Sequence, residues 1–137
     1  MEIPQIDRSR YLKGLLITAR KDNQLTQSEK SIIKKFAMKL GFSLDFFEES
    51  ISHLLENKYI TEEPLIFSDK NIAKSFIEDG LKLAISGDVI GDEELAWLNQ
   101  TARVNQISEV WVNKKIQEIK SKPHLIGKTD FALFSLI

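Results

Sequence analysis

The 137-residue sequence predicts an all-α domain of six to seven helices. Three observations carry that reading. Apolar residues recur at helical spacing in successive stretches, residues that favour helix ends punctuate them, and the chain repeats itself at an offset of 65 positions. No stretch keeps the strict apolar–polar alternation of a half-buried strand.

Residues 1–9 are polar with an early Pro4 and read as an arm or lead-in. From Arg10, the residues Tyr11, Leu12, Leu15, Leu16 and Ala19 make one buried stripe on a helix of about three turns. Asp22-Asn23-Gln24 ends it. Thr26 followed by Glu29 fits a capping box, so a second helix opens there. It buries Ile32, Ile33, Phe36, Ala37 and Leu40 and turns Lys30, Lys34, Lys35 and Lys39 outward. Gly41 closes it with a left-handed cap.

Ser43 caps a third helix whose apolar set is Leu44, Phe46, Phe47, Ile51, Leu54 and Leu55. Residues 59–67, broken by Pro64, read as a connection with a short helical turn after Thr61. Ser68 or Asp69 then caps a fourth helix through Ile72, Ala73, Phe76, Ile77, Leu81, Leu83 and Ala84. A fifth helix starts at Gly91 or Asp92 and presents Ala96, Trp97, Leu98 and Ala102. Ser108 opens a sixth with Val110, Trp111, Val112, Ile116 and Ile119, and Pro123 ends it. The tail from Phe131 to Ile137 is apolar to the last residue. It is expected to close the core as a seventh helix, the alternative being docking onto another subunit, a partner or a membrane surface.

Sliding the chain by 65 residues sets Leu16 on Leu81, Ala19 on Ala84, Glu29 on Glu94, Ala37 on Ala102, Ser43 on Ser108 and Ile51 on Ile116. Those six identities are few, but caps fall on caps and apolar positions on apolar positions without a gap. The sequence thus predicts one domain over 1–137, with repeat one at about 10–57, repeat two at about 70–122 and the tail at 124–137. The two three-helix repeats are expected to be related by a pseudo-two-fold axis. Gly14 and Gly80 would let the first helix of each repeat approach the other closely.

Composition removes several function classes. Nineteen basic residues stand against 20 acidic ones, without the positive excess of a nucleic-acid binder. Cysteine is absent and there are two histidines, His53 and His124, which argues against thiol chemistry and a histidine-rich metal site. Residues 1–10 lack the apolar core of a signal peptide, and no apolar run approaches the roughly 20 residues that span a bilayer. A cytoplasmic address is expected. His53, among Ile51, Leu54 and Leu55, reads as a partly buried structural histidine, and the lysines of the second helix as a solvated face. No serine sits in a nucleophile-elbow pattern.

The turns before the second and fifth helices hold the richest chemistry. Ser86-Gly87-Asp88-Val89-Ile90-Gly91-Asp92-Glu93-Glu94 places four carboxylates within seven residues, and Ala19 through Glu29 repeats the grammar with Leu25 in place of Ile90. This pattern, a small residue, an acid, an aliphatic residue and a Glu four later opening a helix, resembles the tellurite-resistance TerB-like family, also seen at the N-terminus of DjlA-type co-chaperones. The residues that carry it are Ala84, Gly87, Asp88, Ile90, Asp92, Glu93 and Glu94, with Ala19, Asp22, Leu25, Ser28 and Glu29 in the first copy. The resemblance covers about residues 8–120. There are departures: Arg20-Lys21-Asp22-Asn23 stands where the family favours Ala-Asp-Gly, and Asp88 comes one place late.

The resemblance implies a duplicated helical fold and a binding role in a bacterial stress or envelope-associated response. It also implies a divalent cation, calcium, magnesium or manganese, with Asp22, Glu29, Asp88, Asp92 and Glu94 as candidate ligands. Neither turn has the alternating acids and central glycine of an EF-hand loop. Read from the residues themselves, Asp92, Glu93 and Glu94 are first-turn acids at a helix N-terminus. The expected function is a non-enzymatic binding module whose partner is another protein, as monomer or homodimer, with peripheral membrane association left open. The rivals are a metal-assisted hydrolase using Asp88, Asp92 and Glu94, and a scaffold that dimerises through its tail.

Overall fold

The computed structural model describes residues 2–20, 27–56, 63–85, 91–121 and 131–136, and these contain seven helices and no strand. They are α1 (Gln5–Arg20), α2 (Gln27–Lys39), α3 (Leu44–Glu56), α4 (Lys70–Ile85), α5 (Asp92–Val104), α6 (Glu109–Lys120) and α7 (Ala132–Leu136). α1 packs on α2 and α3, which also touch each other, and α4 packs likewise on α5 and α6. The halves meet chiefly where α1 lies against α4, and α7 lies along α4.

Local chemistry explains the helix boundaries. Ser43 Oγ accepts the Phe46 N–H at 3.1 Å to start α3, and Ser108 Oγ accepts the Trp111 N–H at 3.2 Å to start α6. Asp69, rather than Ser68, caps α4, accepting the Asn71 N–H at 2.7 Å. α2 ends in a Schellman motif: the Phe42 N–H reaches the Ala37 carbonyl at 2.9 Å and Gly41 takes a φ of 92°. α5 ends the same way, the Ile107 N–H reaching Ala102 at 2.9 Å, with Gln106 at a φ of 61° in the glycine's role. The expected cap at Thr26 and helix stop at Pro123 lie outside the described residues.

α1 departs most from its expectation. It begins at Gln5, so the supposed arm is helical, and both Ile3 and Asp7 are buried. Nor is its buried surface one stripe: Tyr11, Leu12, Gly14, Leu15, Leu16, Ile17, Thr18 and Ala19 are all buried, because α2, α3 and α4 surround the helix. Gly14 does serve the contact with α4, since a Cβ there would sit 2.4 Å from the Phe76 ring. Gly80 does not face α1; a Cβ there would meet Leu98 of α5 at 2.8 Å.

An aromatic cluster fills the middle. Tyr11 lies edge-on to Phe76 at 5.4 Å between ring centroids, Phe67 stands 5.2 Å from Phe76, and Phe36 packs against Phe131 at 4.8 Å. The segment 63–67 has no helix and crosses between the halves, with Leu65 and Phe67 buried. Asn105 holds it by donating to the Leu65 carbonyl at 2.7 Å and accepting the Phe67 N–H at 2.9 Å. The helical turn expected after Thr61 falls on residues outside those described, apart from Glu63 onward. The apolar tail forms α7, with Phe131 and Leu133 buried in the chain's own core. Four residues expected on buried faces are instead exposed: Leu44, Phe46, Ala96 and Val110.

Candidate functional site

Two surfaces and one buried cluster stand out among the described residues. The cluster lies where α1, α4 and α7 meet. Asp79 is 0% exposed, and its carboxylate accepts the Tyr11 hydroxyl at 2.5 Å and the N–H groups of Ala132 and Leu133 at 2.6 and 3.0 Å. Tyr11 donates to Asp79, so the Ser75 hydroxyl, 2.9 Å away, donates to the Tyr11 oxygen. Burial pushes the Asp79 carboxyl up to about 7 against the opposing pull of these donors, and burial beside Asp79 raises Tyr11 well above its ordinary value. With no solvent access to either group, the arrangement fastens α7 and is not a site for substrate. Its signal in the sequence was an acid on the α4 stripe of Ile72, Phe76 and Leu83, a position that core-facing helices rarely give to a charge.

The acidic turns come out divided. Asp22 and Asp88 lie outside the described residues. Glu94 is buried at the start of α5, where its Oε1 accepts the Gly91 N–H at 3.2 Å, the glutamate half of a capping box. Gly91 leaves the room this needs, since a Cβ there would sit 2.8 Å from that same oxygen. Glu29 is buried in the first turn of α2, and Asp92 is exposed in the first turn of α5. Among the described residues, no three acidic or histidine side chains gather where they could hold a metal ion.

The first surface is an open groove between α1 and α3, with a volume of about 260 Å³. Leu12, Leu16 and Ile17 form its floor, Ser9 and Lys13 one rim, and Phe46, Ser50 and His53 the other. Phe46 is 45% exposed and is held by stacking on Phe42, with ring centroids 4.9 Å apart. His53, expected to be partly buried, is exposed on this rim. Neither Phe46 nor His53 belongs to any recognisable motif, and only an apolar excess on α3 hinted at the groove.

The second surface is the seam between α4 and α6. Here Lys115 pairs with Glu78 at 3.0 Å and with Glu118 at 3.2 Å, and Lys82 pairs with Glu78 at 3.2 Å. Trp111 lies beneath the ammonium groups of Lys115 and Lys74, 5.5 and 5.8 Å from its ring centroid. Glu78 is half-buried, which disfavours its charge, but Lys115 and Lys82 outweigh this and hold its carboxyl below the ordinary glutamate value. The hydrogen bond to Glu78 in turn raises Lys115. Compared with protein-family models, with curated proteins and with solved structures, the chain matches none.

Proposed function

We propose that this chain is a non-enzymatic binding module, TerB-like in its duplicated architecture and acting in a bacterial stress or envelope-associated response. It receives an apolar segment of a partner protein in the groove between α1 and α3. The observation that carries this reading is the exposed Phe46, stacked on Phe42, on the rim of a groove between α1 and α3 that opens to solvent. At about 260 Å³ the groove is smaller than the roughly 300–1,000 Å³ of sites that enclose a small molecule, which favours partner side chains over a cofactor. The hydrogen bond from the Gly91 N–H favours helix capping over metal binding for Glu94, and this turns recognition away from the acidic turns.

The duplication itself is part of the proposal. Its support is that the Schellman ends of α2 and α5 use residues 65 apart throughout: Ala37 and Ala102, Gly41 and Gln106, Phe42 and Ile107. The serine caps of α3 and α6 keep the same offset.

Calorimetric titration with a neutral amphipathic helical peptide of Leu and Gln tests the binding role. Binding to the native chain, abolished by Ser50→Trp, whose ring fills the groove, is the expected result. Binding undiminished by Ser50→Trp, or none to the native chain, would overturn the reading.

A further inference from the structure

The two helices of the α2–α3 hairpin carry opposite charge on their outer faces. Lys30, Lys34, Lys35 and Lys39 of α2 are exposed or half-buried, and its one acid, Glu29, is buried. α3 exposes Asp45, Glu48 and Glu49, and its sequence holds no lysine or arginine. Among the described residues none of these four lysines and three acids has an ion-pair partner. The corresponding hairpin of the second half is not divided in this way. There α5 exposes Asp92, Glu93 and Arg103, and α6 exposes Glu109, Lys114, Glu118 and Lys120.

Position as well as sign fits the chain to a copy of itself. Residues 40–43 alone join α2 to α3, so the two helices run antiparallel. Lys39 and Asp45 stand three places before and after Phe42, and Lys35 and Glu49 seven places before and after it. The spacing of four residues puts each like-charged pair on one stripe of its helix. A two-fold axis running along the hairpin lays α2 of one copy on α3 of the other with the levels kept. Lys39 then meets Asp45 of the second copy and Lys35 meets its Glu49, and the same contacts form in the opposite sense. We infer that two copies of this chain associate as a two-fold dimer through the outer face of the α2–α3 hairpin. Met38 and Leu44, exposed among these charges, supply its apolar contact. Each helix has 13 residues. At about 20 Å long and about 10 Å across per helix, the face is on the order of 400 Å², half the roughly 800 Å² per partner of a standard interface. Single surface ion pairs add little each, so the dimer is weak and sensitive to salt. It goes beyond the role of the groove, since none of these charges lines it.

Sedimentation equilibrium of the full chain at low ionic strength tests this. The expected result is a mass that climbs from one chain toward two between micromolar and millimolar protein and returns to one as salt is added. Lys35→Glu/Lys39→Glu and Asp45→Lys/Glu49→Lys, all at exposed positions, are each expected to stay monomeric, because the facing stripes then carry like charges. An equimolar mixture of the two variants is expected to dimerise again, since the reversed α2 of one meets the reversed α3 of the other. Glu109→Lys on α6 and Ser50→Trp in the groove are expected to leave the association unchanged. A native chain that stays monomeric at millimolar concentration, an association that both reversals leave intact, a mixture that stays monomeric, or a dimer lost in Ser50→Trp would each overturn the proposal.

Discussion

The halves 10–57 and 70–122 end their second helices with the same motif and start their third with the same cap, yet differ where their first and third helices meet. In the second half that contact carries a half-buried glutamate satisfied by two lysines and a tryptophan under two ammonium groups. In the first half it carries serine, histidine and a stacked phenylalanine, with no ion pair among the residues that line the groove. Residues 65 positions apart match at these helix ends and differ in charge on the outward-facing rims of the two contacts. A second contrast concerns what crosses the middle. Segment 63–67 lies over α1 through Leu65, near Gly14, and α7 lies over α4, pinned by Asp79. Each half is covered by the chain that leaves it.

The largest effect follows from removing one of those covers. Deleting residues 131–137 exposes the sites of two buried side chains, Phe131 and Leu133, at about 1.5–3 kcal/mol each, and leaves Asp79 without its amide donors. A loss of about 3–6 kcal/mol in urea unfolding is expected; a stability unchanged within error would mean that the tail is not part of the core.

The Asp79 latch makes the next prediction. Its carboxyl stands near 7 in the folded chain and near 3.8 unfolded, so between those values the native state holds a proton that the unfolded chain has lost. Stability therefore falls as pH rises through that window and levels off above it. The full span is worth up to about 4 kcal/mol at 1.36 kcal/mol per unit. In Asp79→Asn this descent should vanish from unfolding free energies measured between pH 4 and 8, since the amide does not titrate. A slope as steep as that of the native chain would assign the pH dependence to other groups.

Smaller and opposite effects are expected at the paired left-handed residues. Gly41→Ala places a side chain at a positive φ and should cost about 1 kcal/mol, while Gln106→Gly relieves one and should gain a similar amount. Two changes of the same sign in thermal unfolding would break the equivalence of the two helix ends. The seam comes last. Glu78→Gln removes ion pairs that are partly exposed, and surface pairs of this kind are worth about 0–1 kcal/mol.

Much of this architecture was legible because it is local. Ser43, Ser108, Gly41 and the boundaries of α2 and α6 follow from capping chemistry within a few residues, and the buried face of α2 follows from its period. What failed was what depends on neighbours. The burial of every residue of α1 from Tyr11 to Ala19 except Lys13 comes from three helices packed round it, and no period in its sequence announces that. Leu44, Phe46 and Val110 read as core by hydrophobicity alone and are exposed because no helix among the described residues lies over them. The candidate site shows the same limit. The acidic turns drew attention through their spacing, whereas the groove is assembled from Lys13 on one helix and His53 on another, 40 positions apart. Asp79 was visible as an acid on an apolar stripe, but its partners Tyr11 and Ala132 are 68 and 53 residues away.

The most direct measurement is a map of backbone amide shifts as the neutral Leu and Gln peptide is titrated into the isotope-labelled chain. Recognition by the first half predicts that the largest shifts fall on residues 9–17 of α1 and 46–53 of α3, with the seam residues 74–82 and 111–118 undisturbed. The largest shifts at the starts of α2 and α5, or spread equally over both halves, would contradict it.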